Sequence, residues 1–350
     1  MSNQIITRYS VLNIDEHLQN LTNYLTFKKI TTMYGLKDLK PTIKIDNNSV
    51  ECPVKNCSEK VDRQRKSFKR AQNYQCPIHK IYISPTTFEY EKEQENLLWI
   101  DNSDEQLLNQ IKNVKRESRI ARDNSEDALT WNVMRFLDRQ GLITDFLSKL
   151  SNQVINEAEL ILWSYSPQEN SAWKLLEKAR REFGETGNRS SEPDIIIKTD
   201  KVLYFIEAKL TASNKTNPSN PKNTKKYKTG GDNWFSKIFK SEYDTIAVKE
   251  KRYELMRFWL LGSWIANRLN VDFEFYSLVK QSRDITVEAE FSKHIIPCEK
   301  RKFSRLTWEE IYRYIETLED NVEKQKMTDY FKNKTVGYIN GNIKQAFSIK

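Results

Sequence analysis

A chain of 350 residues with 57 Lys and Arg against 48 Asp and Glu, a net charge of +9, is long enough for two domains with sizeable cores. No apolar run reaches the ~18 residues of a membrane-spanning helix, and residues 1–10 lack a signal-peptide core, so a soluble, cytoplasmic protein with no membrane partner is expected.

In chain order, Thr42-Ile43-Lys44-Ile45 alternates as a strand does and Asp46-Asn47-Asn48-Ser49 reads as a turn. Cys52-Pro53-Val54-Lys55-Asn56-Cys57 and Cys76-Pro77-Ile78-His79 then form two short pairs with eighteen residues between them. Ligand types and spacing point to a tetrahedral structural Zn²⁺ held by Cys52, Cys57, Cys76 and His79; the competing readings are a chance grouping of reduced cytosolic thiols and a disulfide, which a cytosolic protein rarely keeps. The intervening segment is basic, with Arg63, Arg65, Lys66 and Arg70 among its cations, and a second cluster (Lys112, Lys115, Arg116, Arg119, Arg122) follows. These clusters read either as solvated faces or as contacts to an anionic partner.

Ile81 to Phe88 looks like a strand entering a turn, and residues 90–123 like a polar connector ending in a helix, with a domain boundary near 115. A helix is predicted over 125–139, capped by Asn124 or Ser125 and closed by Gly141. Glu126 suits the positive end of its dipole, yet it also stands in line with Leu129 and Val133 on the apolar stripe, where an acid needs a partner. A strand over 158–165 and a helix over 171–183 follow; the loop 184–191 reads equally as a substrate lip or a plain loop. Next come two apolar runs, 193–198 and 202–209, flanking Thr199-Asp200-Lys201, which read as a β-hairpin. Residues 211–231 are polar and Lys-rich (Lys222, Lys225, Lys226, Lys228) and read as a substrate-contacting loop. A helix over 245–269 contains the charged Arg257, which needs a buried partner or faces the substrate. A strand over 271–276 and an amphipathic helix over 308–318 complete the predicted elements. His17, His294 and Cys298 have no motif partners, and the basic tail 328–350 is undecided.

The hairpin carries the chemistry. With Asp200 and Lys201 as the loop, pairs whose numbers sum to 401 lie opposite, which sets Asp194 beside Glu207, and the period of two turns Lys209 to the same face. Two carboxylates so close raise each other's pKa unless a cation lies between them, and Mg²⁺ takes such oxygen ligands. Lys209 can orient a water or offset developing charge, as phosphodiester hydrolysis requires.

Pro193-Asp194, twelve residues, then Glu207-Ala208-Lys209 resembles the PD-(D/E)xK signature of the restriction endonuclease-like nuclease superfamily. The stretch from Asn124 to Val133 resembles that superfamily's preceding helix with its additional acid, here Glu126. The resemblance covers residues from about 115 to 310. It implies an α/β (α+β) fold with an α-β-β-β-α-β core and mixed central sheet, Mg²⁺ bound by Asp194, Glu207 and the Ala208 carbonyl, and a DNA substrate. It also implies restriction or defence in a microbial cell, with a possible homodimer to cut both strands. The expected organisation is a zinc-stabilised DNA-recognition module (1–114), a nuclease domain (115–310) and a helical, basic extension (311–350). The alternatives are a zinc-finger nucleic-acid-binding protein on an inert nuclease scaffold, and a repair or RNA nuclease.

Overall fold

The computed structural model describes residues 33–349 apart from Lys66, residues 116–118, Thr186, Asn188, Arg189 and Asn223, so His17, Lys66 and Arg116 lie outside the described residues. Two short hairpins build the N-terminal module: β1 (Ser49–Glu51) with β2 (Lys60–Asp62), and β3 (Tyr82–Ile83) with β4 (Phe88–Glu89). Residues 42–45, expected as a strand, contribute isolated bridges from Thr42 to Asn342 and from Ile45 to Val50. Helix α1 (Asn102–Val114) starts at Asp101, whose carboxylate accepts from the N–H groups of Ser103 and Asp104. It packs on helix α2 (Glu126–Arg139), where Arg135 donates to the buried Asp104 at 2.7 Å. Of the two candidate caps Ser125 serves, accepting from Ala128 N–H at 3.0 Å. A helix not anticipated from the sequence, α3 (Ile143–Ser151), follows.

The centre is a seven-stranded mixed sheet with helices on both faces, as the α/β expectation required. Its strands are β5 (Ala158–Leu162), β6 (Tyr165–Ser166), β7 (Ser171–Ala172), β8 (Ile195–Thr199), β9 (Val202–Ala208), β10 (Asp272–Val279) and β11 (Arg301–Thr307), in the order β11-β10-β9-β8-β5-β6-β7. The strand expected over 158–165 breaks because Trp163 and Ser164 adopt positive φ (46° and 75°), turning the chain back as β6. Since Ser171 and Ala172 pair with β6, the next helix, α4, spans only Lys174–Glu182.

Helix α5 (Lys225–Ile238) begins inside the segment expected to be a loop and is interrupted by Gly231, Asp232 and Asn233, all with positive φ. Tyr227, 1% exposed, anchors its first turn. The front of that segment is tied down: Asn214 Nδ2 donates to Ser277 Oγ and Asp284 Oδ2, and Thr216 accepts from Tyr253 N–H and Glu254 N–H. The helix predicted over 245–269 is broken in two: Asp244–Lys249 form a short π-helix, Lys251 takes a positive φ of 58°, and α6 spans Tyr253–Leu269. Gly262 lets α6 press on the sheet, since a Cβ there would meet the Phe273 ring at 2.2 Å. Helices α7 (Val287–Ser292), α8 (Trp308–Glu316) and α9 (Val322–Asn333) complete the layers.

Strand β9 shows how the two cores divide. Val202, Tyr204, Ile206 and Ala208 face the α2, α3 and α8 side, whereas Leu203 and Phe205 face α4 to α6. The chain ends in a hairpin, β12 (Thr335–Ile339) with β13 (Asn342–Gln345), which returns to the N-terminal module. Ile43 N–H donates to Gly341 O and Tyr338 N–H to Thr86 O, and the Tyr338 side chain enters the core around Val50 and Phe88.

Candidate active site

The β8–β9 register is the one expected: Ile195 faces Ile206, Ile196 faces Phe205 and Ile197 faces Tyr204. The Asp200–Lys201 loop is held by Thr199, whose Oγ1 accepts from Lys201 and Val202 N–H and donates to Val202 O. At the other end of the hairpin Asp194 stands just ahead of β8. Its Oδ2 accepts from Ala208 N–H at 2.9 Å and its Oδ1 from the Trp163 indole at 3.2 Å, so both carboxylate oxygens are oriented by the fold.

Glu207 is 3% exposed and Lys209 8%, and Lys209 Nζ donates to Glu207 Oε1. Burial drives the Glu207 carboxyl well above the usual range and Asp194 adds to the rise, while Lys209 opposes it. Asp194 is likewise raised by burial, against the pull of Lys209 and Lys115. Burial also lifts Glu126, to about 7, again against Lys209. For Lys209 burial acts the other way, but Glu207, Glu254, Glu126 and Asp194 together outweigh it and hold the ammonium well above its ordinary value. Glu207 Oε2 is buried with no hydrogen-bond partner. An orphaned carboxylate oxygen in an acidic cluster is what a hard divalent cation would satisfy, so these residues could hold one.

Glu126 comes from the far side of the sheet end. Its Oε2 accepts from Leu210 N–H at 2.5 Å, clamping the chain directly after Lys209. Further residues complete the surroundings; of these Lys115 belongs to the second basic cluster read from sequence, whereas Glu254 and Trp163 carried no sequence signal. Glu254, in the first turn of α6, reaches Lys209 Nζ at 3.0 Å. Lys115 pairs with Asp127 at 3.2 Å and lies 4.5 Å from the Trp163 ring centre. A crossover from β9 through α6 to the parallel β10 returns the helix N-terminus to the end of β9, a proximity that sequence spacing does not display.

The basic residues proposed from sequence have varied surroundings. Arg257 has the buried partner that one of its two readings required, since its Nε donates to Glu185 Oε1 at 2.9 Å and a terminal nitrogen to Oε2 at 3.1 Å. Arg70 donates to Tyr90 O, Lys228 pairs with Glu242 at 2.7 Å and Lys226 reaches Gly184 O. Lys222, Lys225 and Arg65 are exposed, and Arg63 is partly buried.

The second site is in the N-terminal module. Cys52 Sγ and Cys76 Sγ each lie 3.6 Å from His79 Nδ1, Cys57 Sγ lies 3.8 Å from Cys76 Sγ, and all four donor atoms are within 4.8 Å of one another. A tetrahedron with Zn–S near 2.3 Å and Zn–N near 2.0 Å has edges of about 3.5–3.8 Å, so the cluster could hold zinc. Lys40 Nζ braces it by donating to the carbonyls of Cys52 and Cys57.

A sequence model of the family described as Restriction Endonuclease associating with ARP matches residues 140–334, more than half of the chain. No curated protein and no solved structure matches. The matched span runs from the residue after α2 to the residue after α9 and leaves Glu126 and the Cys/His cluster outside. With the whole sheet, Asp194, Glu207 and Lys209 inside it, the chain belongs to the family of restriction endonucleases associating with ARP.

Proposed function

We propose that the protein is a metal-dependent endonuclease that hydrolyses DNA phosphodiester bonds in restriction or genome defence, through a PD-(D/E)xK site on a restriction endonuclease-like core. The observation that carries this reading is the buried, unpartnered Glu207 Oε2 beside Asp194 and Lys209. Asp194 and Glu207, with the Ala208 carbonyl, would hold Mg²⁺, which when bound polarises a phosphate oxygen and acidifies a coordinated water.

The chain's own groups do the rest. Trp163 and the Ala208 N–H fix the Asp194 carboxylate in orientation. Lys209 keeps its charge at neutral pH and can orient the attacking water or offset negative charge building on the phosphate. Glu126, near 7, can take up a proton close to neutrality while it holds the backbone after Lys209. Zn²⁺ on Cys52, Cys57, Cys76 and His79 would stiffen the basic module that carries Arg63, Arg65, Lys66 and Arg70, and a homodimer would supply two sites for cutting both strands.

The test is cleavage of supercoiled plasmid and of a mixed-sequence linear duplex with Mg²⁺. Wild type is expected to give discrete fragments, and Asp194→Ala and Lys209→Ala to lose about 10²-fold or more in rate. Salt-sensitive DNA binding by wild type without cleavage would sink the reading.

A further inference from the structure

Between the N-terminal module and the start of α2 lies a cleft of about 590 Å³, within the size range of small-ligand sites, whose lining includes Arg63, Arg65, Phe68, Arg122, Asn47 and Asn124. Two of these residues stand directly ahead of the Ser125 cap of α2, so the cleft lies next in the chain to Glu126. Its chemistry is mixed in a specific way. Arg63 is fixed by donating to Asp46 O and Arg65 by donating to Asn47 O, leaving each further N–H groups to offer, and Arg63 Nε is buried with no partner. Phe68 is only partly buried, with the Arg122 guanidinium 5.4 Å from its ring centre. The side-chain amides of Asn47 and Asn124 hydrogen-bond to no other described residue.

Guanidinium groups alone would suit the phosphates of any nucleic acid. A half-buried phenyl ring recessed among them, with two uncommitted amides at hand, suits something else, because a paired duplex presents phosphates and groove edges and offers no base face to stack on. An unpaired base offers both a π-face for Phe68 and Arg122 and hydrogen-bonding edges for Asn47 and Asn124, with its phosphate left to Arg63 and Arg65. We infer that this cleft receives a single nucleotide whose base is out of the duplex stack, so that the substrate is recognised through an unpaired or extruded base. The inference rests on the reading of the chain as a DNA-acting nuclease and names the form of its substrate.

The experiment uses the full chain as Asp194→Ala, which removes cutting from the measurement. Its affinity is measured for three labelled oligonucleotides of one length and sequence: fully paired, paired with one unpaired base, and single-stranded. The base probed carries 2-aminopurine, whose emission rises on unstacking from neighbouring bases. The oligonucleotide with one unpaired base is expected to bind about tenfold more tightly than the fully paired one, as stacking of a single base on an aromatic ring allows. Phe68→Ala is expected to abolish that preference while leaving paired-duplex affinity within about twofold, and Phe68→Tyr to restore it. A tight single-stranded arm assigns the base to unpaired strands; enhanced emission from the fully paired arm assigns it to extrusion by the protein; either supports the cleft. Equal affinity for all three with no emission change, or a preference and emission change that survive intact in Phe68→Ala, overturns the cleft and leaves the nuclease reading to the plasmid assay. Binding in no arm overturns both.

Discussion

Lys209 and Glu254 meet at 3.0 Å where the end of β9 faces the first turn of α6. The same ammonium donates to Glu207, so one buried cation ties the acidic hairpin to the helix behind it. Glu254 thereby becomes a positioning residue for Lys209.

Replacing Glu254 by Gln keeps the shape and removes one of the charges that hold Lys209 protonated. The Lys209 pKa then falls, and the alkaline limb of the cleavage rate against pH moves to lower pH. Near pH 7 the rate is expected to stay within about tenfold of wild type, because Glu254 acts through another group. A profile that keeps its shape in Glu254→Gln would remove Glu254 from this role.

The acidic cluster makes stability depend on pH with a definite sign. Glu126 titrates near 7 in the folded chain and at its ordinary 4.5 when unfolded, so between these values the folded state binds the extra proton and stability falls as pH rises. Asp194 and Glu207 are raised too and act in the same direction. In buffer without added divalent cation, melting temperatures are expected to drop from pH 5 to pH 8. Glu126→Gln should recover about 1–3 kcal/mol at pH 8. Added Mg²⁺ should raise the melting temperature more at pH 8 than at pH 5; a uniform rise would argue against binding at these carboxylates.

Cys76 is fully buried in the small core with Val50, Phe88 and Tyr338. Cys76→Ser is expected to reduce bound zinc from one per chain to nearly none, read by a colorimetric chelator, and to lower the melting temperature. Full zinc content in the variant would show that the four side chains do not act as one site.

Gly337 has φ of 90°, and a Cβ there would meet Thr86 O at 2.0 Å. Gly337→Ala should therefore loosen the C-terminal hairpin from the N-terminal module and cost about 2 kcal/mol or more, measured by urea unfolding. Limited proteolysis should then cut near residue 340 before cutting the sheet. Unchanged stability would mean that the hairpin docks by side chains alone.

Glu185 accepts from Arg257, Tyr227 and Ser191 in a buried network. The Glu185→Ala change removes the carboxylate that accepts twice from the buried Arg257 and is expected to cost about 3–5 kcal/mol. The double change Glu185→Ala with Arg257→Met should recover part of that loss, which a pair of independent sites would not do.

What the sequence by itself determined is local and periodic. The alternation of β8 and β9 and their two-residue loop set the register that brings Asp194, Glu207 and Lys209 together. The Cys52/Cys57 and Cys76/His79 spacings marked a four-donor cluster, and the Asn124-Ser125 pair marked the start of α2. Each depends on neighbours a few residues apart or on one hairpin, where backbone geometry leaves few choices. The tertiary structure alone decided the rest. Glu254 reaches Lys209 because a crossover to a parallel strand returns a helix to the sheet end, and Arg257 finds Glu185 across 72 residues of chain. Tyr338, with Ile343 beside it, completes the core of a module whose remaining residues lie near the opposite end of the sequence. Such contacts follow from how layers pack, and no short-range pattern encodes them.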